Sequence, residues 1–244
     1  MTRKRADVLL VERGLFDSRA KARAAIEAGR VTAAGRPVAK ASDLLEPDAE
    51  LTAQAAHPWV GRGALKLARA LEIWPVRVEG RVVLDVGAST GGFTEVCLAG
   101  GAARVYAVDV GRGQLHPKIA ADPRVVSLEA TDARALTAAL VPEAPELVVC
   151  DVSFISLAKA LPAALALAAA GADLVCLVKP QFEAGPAQVG KGGMVKDEAV
   201  RLKAVTDAEA FLEAAGWRLR GRADSPIAGG DGNLEFLVWA TKAA

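Results

Sequence analysis

Cysteine is scarce in this chain, and its placement excludes two classes of small protein at once. Cys97, Cys150 and Cys176 are far apart, with no CxxC pair and no Cys/His cluster. A disulfide framework and a structural zinc site are therefore both excluded, and no metal is expected. Each cysteine lies in or beside an apolar run, which suits a small buried hydrophobe in a reducing compartment. Aromatics are also few, at 5% against 52% hydrophobic residues, so the core must be built from Ala, Val and Leu. The basic N-terminus MTRKRADVLL is not followed by a long apolar segment, which argues against a signal peptide and for a cytoplasmic protein. The most apolar stretch, 157–178, is interrupted by Lys159, Pro162, Gly171 and Asp173. A membrane span needs about 20 uninterrupted apolar residues. A helix followed by a buried strand fits better, and no membrane partner is expected.

Charge is nearly balanced overall, at +1, but not along the chain. Residues 1–40 hold ten Lys/Arg and four Asp/Glu, and residues 41–56 hold four acids and no bases. A basic block on a nearly neutral body suggests an anionic partner; charge alone favours an ordinary solvated face. Residues 6–14 read as a short helix stopped at Gly14. Asp17 or Ser18 can cap a second helix through Ala28, with Gly29 as its stop. VTAAGRPVA reads as two strands around Gly35, and LLEPDAELTA adds a turn and a strand. Arg19 and Arg23 share a helical face, and Arg3, Arg5, Arg30 and Lys40 lie nearby in sequence. The run from Arg5 to Val38 resembles the small RNA-binding fold of a primary small-subunit ribosomal protein and many pseudouridine synthases. That resemblance implies basic side chains set against RNA phosphates, which position a protein without reading bases.

These patterns divide the chain into a small α+β domain at 1–56, a linker HPWV at 57–60 and a larger domain at 61–244. The larger domain alternates helices with strands that read as continuous apolar runs: RVVLDVG, RVYAVDV, RVVSLEATD, ELVVCDVSF and ADLVCLVKP. Such runs argue for a mostly parallel sheet covered on both faces, the Rossmann-like α/β class. LAKALPAALALAAAG reads as one helix. WRLRGRADSPI and LEFLVWATK, late in the chain, suggest an antiparallel edge.

DVGASTGGFT, residues 85–94, ends a strand, turns on glycine and opens a helix. Glycines there let backbone approach a ligand closely. The spacing departs from a plain dinucleotide GxGxxG and is more typical of S-adenosylmethionine enzymes. The expected cofactor contacts are Asp85, Gly87, Ala88, Ser89, Gly91, Gly92 and Phe93. Asp109, ending the second strand, can accept both ribose hydroxyls, and Asp132, ending the third, can reach the adenine edge. GPAQVGKG at 185–192 approaches a phosphate-binding loop but carries Gly192 where Ser or Thr is needed. It reads better as a Gly/Lys loop over the active site.

Asp151 and Lys179 end the fourth and fifth strands, Lys66 lies on the helix before the first, and Glu235 opens the last. In order, these four resemble the Lys-Asp-Lys-Glu set of FtsJ-type ribose 2'-O-methyltransferases. With GRGALKL, LVKPQFE, VGKGGMVKD and the basic N-terminal domain, nearly the whole chain resembles the TlyA group, historically haemolysin A. The resemblance implies methyl transfer from S-adenosylmethionine to a cytidine 2'-hydroxyl of ribosomal RNA in a ribosomal subunit, with no protein partner evident. It also implies that Lys179 acts as base or alkoxide stabiliser, Asp151 orients it, and Lys66 and Glu235 position the ribose. Free lysine, with a pKa of about 10.4, is a poor base at neutral pH; burial and a second ammonium favour the neutral amine. The chain departs from the group at His57, where relatives often carry Arg; the resemblance implies a linker that couples RNA docking to cofactor binding, and this departure leaves the strength of that coupling open. Its compact ends resemble members that modify large-subunit rRNA. Rival readings are a membrane-lytic haemolysin, a non-catalytic ribosome-assembly factor and a small-molecule methyltransferase. The first needs an amphipathic or membrane-length segment, and none is found. The second has no use for the tetrad and the third none for the basic domain.

Overall fold

The computed structural model describes residues 2–243 and divides into two compact units, Met1–Pro58 and Trp59–Ala244. The expected linker is thus split. Trp59 packs against the apolar core of the second unit, and the Val60 amide donates to Glu95 Oε2 at 2.6 Å.

The first unit runs β1 (Lys4–Arg5), α1 (Ala6–Glu12), α2 (Arg19–Glu27), β2 (Val31–Ala33), β3 (Arg36–Pro37), β4 (Leu44–Leu45) and β5 (Leu51–Ala53). Ser18 caps α2 by accepting from the Lys21 amide. Strands β3, β2 and β5 form one small antiparallel sheet, and β1 pairs with β4. Ala6, Leu10, Ala22, Ala25, Ile26, Val31 and Val38 make its core.

The second unit runs α3 (Ala64–Ile73), β6 (Val82–Val86), α4 (Gly92–Ala99), β7 (Arg104–Val108), α5 (Pro117–Ala120), β8 (Val125–Leu128) and β9 (Leu147–Cys150). It continues with α6 (Leu157–Ala160), α7 (Pro162–Leu167), β10 (Asp173–Val178), α8 (Pro180–Glu183), α9 (Glu198–Ala214), β11 (Trp217–Asp224) and β12 (Phe236–Lys242). Its seven strands are ordered β11-β12-β10-β9-β6-β7-β8. Alternate residues of each strand supply different cores. Leu84, Val86, Val148, Cys150, Leu174 and Cys176 feed one; Val83, Leu147, Val149, Val175 and Leu177 feed the other. That is why these strands read as unbroken apolar runs: both faces are buried. Each fully buried aliphatic side chain contributes roughly 1.5–3 kcal/mol. The three cysteines are free and buried in these layers.

One expectation needs correction. The segment 157–171 is not one helix: Leu161 ends α6, and Pro162, lacking an amide hydrogen, starts α7. The two late strands form the expected antiparallel edge, β11 outside and β12 within. β12 runs antiparallel to both β10 and β11, so it alone is reversed, and the edge strand β11 points with the parallel set. No local pattern encodes this insertion, because the order depends on pairing across the intervening chain.

The strand order changes direction at β6, which lies between β7 and β9. In open α/β sheets the ligand crevice lies at such a switch point, outside the carboxyl ends of the strands. Because β12 is reversed, its beginning lies at that same end of the sheet. The second unit holds complete cores on both sheet faces, so a fragment spanning 59–244 is expected to fold alone. A cooperative thermal transition by circular dichroism checks this, and a molten, non-cooperative fragment would contradict it.

Candidate active site

The turn after β6 is held from several sides. Gly87 and Gly91 have φ of +86° and +92°, which glycine adopts at least cost. A Cβ on Gly87 would lie 3.0 Å from the backbone oxygen of Asp151. The Asp109 carboxylate accepts from the Ser89 amide at 2.8 Å and the Gly111 amide at 2.7 Å, which leaves lone pairs for further donors.

A cavity of about 350 Å³ lies beside this turn, lined by Gly87, Ser89, Asp109, Asp132 and Asp151, among others. Small-molecule sites run about 300–1,000 Å³. A second cavity, of about 190 Å³, continues past Ala88, Gly92 and Phe93 to Arg62 and Lys179. A third, of about 520 Å³, holds Lys66, Lys179 and Glu235 with Phe154, Phe182 and Gln181.

Two expected cofactor residues lie outside these cavities, and a third is engaged by a neighbour. Asp85 lines none of these cavities. It is fully buried and its Oδ2 accepts from Thr94 Oγ1 at 2.6 Å, so it braces the turn from beneath. Gly91 lines none either. Its added Cβ would meet Leu115 Cδ1 at 2.8 Å, so packing against the chain explains this glycine and ligand approach does not. Asp132 lines the first cavity, but both its oxygens accept from Arg134, and these bonds hold its carboxyl down to about 2. Its carboxylate meets arginine before any adenine edge.

The four residues of the ordered set converge. Lys179 Nζ lies 2.6 Å from Asp151 Oδ1. Lys66 Nζ lies 3.4 Å from Asp151 Oδ2 and 2.7 Å from Glu235 Oε2. Their side chains are 2–17% exposed, so two cations and two anions share one sheltered cluster. Charges in such a place persist only when paired. Each comes from a different element: α3, the ends of β9 and β10, and the residue before β12.

Sequence reasoning passed over several neighbours. Ser153 Oγ accepts from Lys179 Nζ at 2.9 Å. Phe154, 90% exposed with φ +65°, stacks near Phe182 with ring centroids 5.0 Å apart. Asn233 is buried and bridges two loops, donating to the Gly193 carbonyl and accepting from the Val195 amide. Only the position of Ser153 and Phe154 inside CDVSF could have flagged them. In the Gly/Lys loop, Pro186–Gln188 and Lys191–Gly193 are single 3-10 turns. Val189, Gly192 and Gly193 line the third cavity, so the loop walls the site without the strand-to-helix geometry of a phosphate loop.

In the first unit, Arg5, Arg19, Arg23 and Lys40 line one concavity with Asp7 and Glu27. Arg5 and Arg19 both donate to Asp7, whose carboxyl is held down to about 2, chiefly by Arg5. Arg23 pairs with Glu27. Arg3 pairs instead with Glu46 and Arg30 donates to Gln54 at 3.4 Å; neither lines that concavity.

A seven-stranded sheet with its sixth strand reversed, a glycine turn at the switch point and a cavity beside it define a methyltransferase-type α/β domain. The FtsJ-like methyltransferase family matches residues 59–242 and the S4 domain family residues 4–51; the chain belongs to the FtsJ-like methyltransferases, in the group named TlyA. The chain is 47% identical over 239 residues to the 16S/23S rRNA (cytidine-2'-O)-methyltransferase TlyA of Mycobacterium tuberculosis, covering 97% of this chain and 89% of that one. Hemolysin A of Brachyspira hyodysenteriae is 37% identical over 96% of this chain and 98% of its own. A solved structure from Streptococcus thermophilus, described there as a hemolysin, superposes with a TM-score of 0.78 at 40% identity, covering 100% of this chain and 90% of that one. Among the described residues, no helix is long and apolar enough to cross a membrane.

Burial pushes the Asp85 carboxyl up to about 7, and the Thr94 hydroxyl offsets part of that rise. Asp85 Oδ1 has no hydrogen-bond partner among the described residues, consistent with a proton there. The folded value lies above the ordinary carboxyl value of about 3.9. Protonation therefore stabilises the fold fully below about pH 4, and that contribution is lost as pH rises through 7. Asp85→Asn keeps an acceptor for Thr94 and removes the titration. Its melting temperature should gain on wild type steadily as pH goes from about 5 to about 8; a constant difference would contradict the buried proton.

Proposed function

We propose that this chain transfers a methyl group from S-adenosylmethionine to the 2'-hydroxyl of a cytidine in ribosomal RNA. The observation that carries this reading is the cluster of Lys66, Asp151, Lys179 and Glu235, set between the cavity beside the glycine turn and the cavity beyond it. The residues present suit the cofactor: Asp109 still has carboxylate lone pairs for ribose hydroxyls, and Gly87, Ala88 and Ser89 bring backbone close to the cavity. When bound, S-adenosylmethionine supplies a sulfonium methyl whose C–S electron pair stays with sulfur as the new bond forms.

The chain's own residues handle the nucleophile. A ribose hydroxyl is a weak nucleophile, so the site must orient it in line and take its proton. Having first released its ammonium proton to solvent, Lys179 Nζ takes the 2'-hydroxyl proton, and the oxygen lone pair forms the O–C bond. Asp151 holds the Lys179 amine at 2.6 Å and balances the ammonium that results. Lys66, anchored between Glu235 and Asp151, faces the third cavity, where it positions the ribose. The S4-type unit docks on RNA through the concavity of Arg5, Arg19, Arg23 and Lys40. These side chains supply attraction to phosphates and no base reading.

Lys179→Ala is expected to abolish methyl transfer to ribosomal subunits while calorimetric cofactor affinity stays within about twofold. Activity within a few fold of wild type would remove Lys179 from the chemistry. Mapping of 2'-O-methyl positions on small- and large-subunit RNA, from cells with and without the protein, identifies the nucleotide; unchanged maps would sink the reading. Arg19→Ala with Arg23→Ala should weaken RNA binding and flatten its dependence on salt. Each lost phosphate contact lowers the log-log slope by roughly 0.7–0.9. An unchanged slope would assign this positive charge to a solvated face.

A further inference from the structure

We propose that Ser153 is a positioning residue for methyl transfer, fixing the orientation of the Lys179 amine at the point where the cofactor and substrate cavities meet. The inference rests on the reading of Lys179 as the group that takes the 2'-hydroxyl proton.

Two observations carry it. Among the described residues, Ser153 alone lines all three cavities around the cluster. Asp151 lines the first two, while Phe154 lines the first and third and Lys179 the second and third. A methyl group must cross from the donor side to the acceptor side, and the residue bordering every compartment sits where that crossing occurs. Second, Ser153 Oγ accepts a hydrogen bond from Lys179 Nζ at 2.9 Å, whereas Asp151 Oδ1, 2.6 Å from the same nitrogen, meets it as an ion-pair contact without hydrogen-bond geometry.

The valences of the amine decide what these contacts do. A neutral lysine amine has two N–H groups and one lone pair. Asp151 attracts the nitrogen as an ion-pair partner without directing an N–H, so the bond to Ser153 supplies the direction. It fixes one N–H, keeps the lone pair from pointing at Ser153 and leaves it for the 2'-hydroxyl proton. After the proton moves from the ribose oxygen to Nζ, the bond to Ser153 holds the ammonium and the Asp151 carboxylate balances it. Without Ser153 the amine turns freely beside Asp151, and the reactive orientation becomes one of several. Orientation of this kind acts on the rate of the bound complex. Ser153 is exposed, and the chain leaves it through Phe154 in a left-handed conformation. The backbone turn sets the hydroxyl in place, and a side chain one methyl larger has room.

The experiment is single-turnover methyl transfer by full-length Ser153→Ala, Ser153→Thr and Lys179→Ala on ribosomal subunits, with calorimetric S-adenosylmethionine affinity measured in parallel. Ser153→Ala should lower the maximal rate about tenfold, as expected for one lost hydrogen bond to a charged or reacting group. Half-saturation by RNA and cofactor affinity should stay within twofold. Ser153→Thr, which restores the hydroxyl, should recover most of the rate. A maximal rate for Ser153→Ala within twofold of wild type, with Lys179→Ala inactive, overturns this inference and leaves the functional reading standing. A loss confined to RNA half-saturation or cofactor affinity, or a threonine variant no faster than alanine, also overturns it. An active Lys179→Ala takes down the reading and the inference together.

Discussion

The structure is organised around one constraint: four charges that cannot be sheltered singly. Asp151 lies between two lysines, and Lys66 in turn lies between Asp151 and Glu235. Each ion neutralises another, so the cluster is balanced only when all four are present. Taking one partner from a buried pair leaves the other uncompensated, at a typical cost of about 3–5 kcal/mol. The cluster therefore ties α3, β9, β10 and β12 together electrostatically while offering its ammonium groups to the cavities beside it. Stability and chemistry draw on the same contacts.

The glycine turn illustrates a different division of labour. Its residues divide between facing the cavity and bracing the chain. Gly87 and Ser89 border the cavity, whereas Asp85 and Gly91 look inward, to Thr94 and to Leu115. A motif that looks like a set of ligand contacts is thus partly a set of packing devices. The Asp109 carboxylate does both, tethering two amides of its own chain at the mouth of the cavity.

Much of this was legible in the chain, for identifiable reasons. Strands buried on both faces leave continuous Val/Leu runs, so the parallel core was readable. Lys66, Asp151, Lys179 and Glu235 were readable only as an ordered set, through its resemblance to the Lys-Asp-Lys-Glu set of FtsJ-type enzymes, since each alone reads as a surface ion-pair residue. What stayed hidden depends on pairing at a distance. The antiparallel edge was expected, but the placement of β12 inside β11, next to β10, has no local signature. Asp7 meets Arg19 from 12 residues away, so the basic helix is less bare than its composition suggests. Ser153 belongs to no periodic pattern and is distinguished only by the three cavities it borders. Pro162, by contrast, marks the helix break by its chemistry, and the expectation of a single helix overlooked it.

The reversed strand also bears on the order of assembly. β11 pairs with β12 and with no other strand among those described, so it has no ladder to join until β12 exists. Among the described strands β12 comes last in the chain, yet it lies one place in from the edge of the row of seven and is preceded directly by Glu235. An emerging chain can stack β6 to β10 and shape the cavity beside the glycine turn while Lys66 still lacks its nearer carboxylate. The ion cluster is closed by the same event that zips β12 onto β10 and gives β11 its place. The pairing that completes the sheet is thus the one that brings Glu235 to Lys66, so the ladder of β12 on β10 and the reactive arrangement stand or fall together.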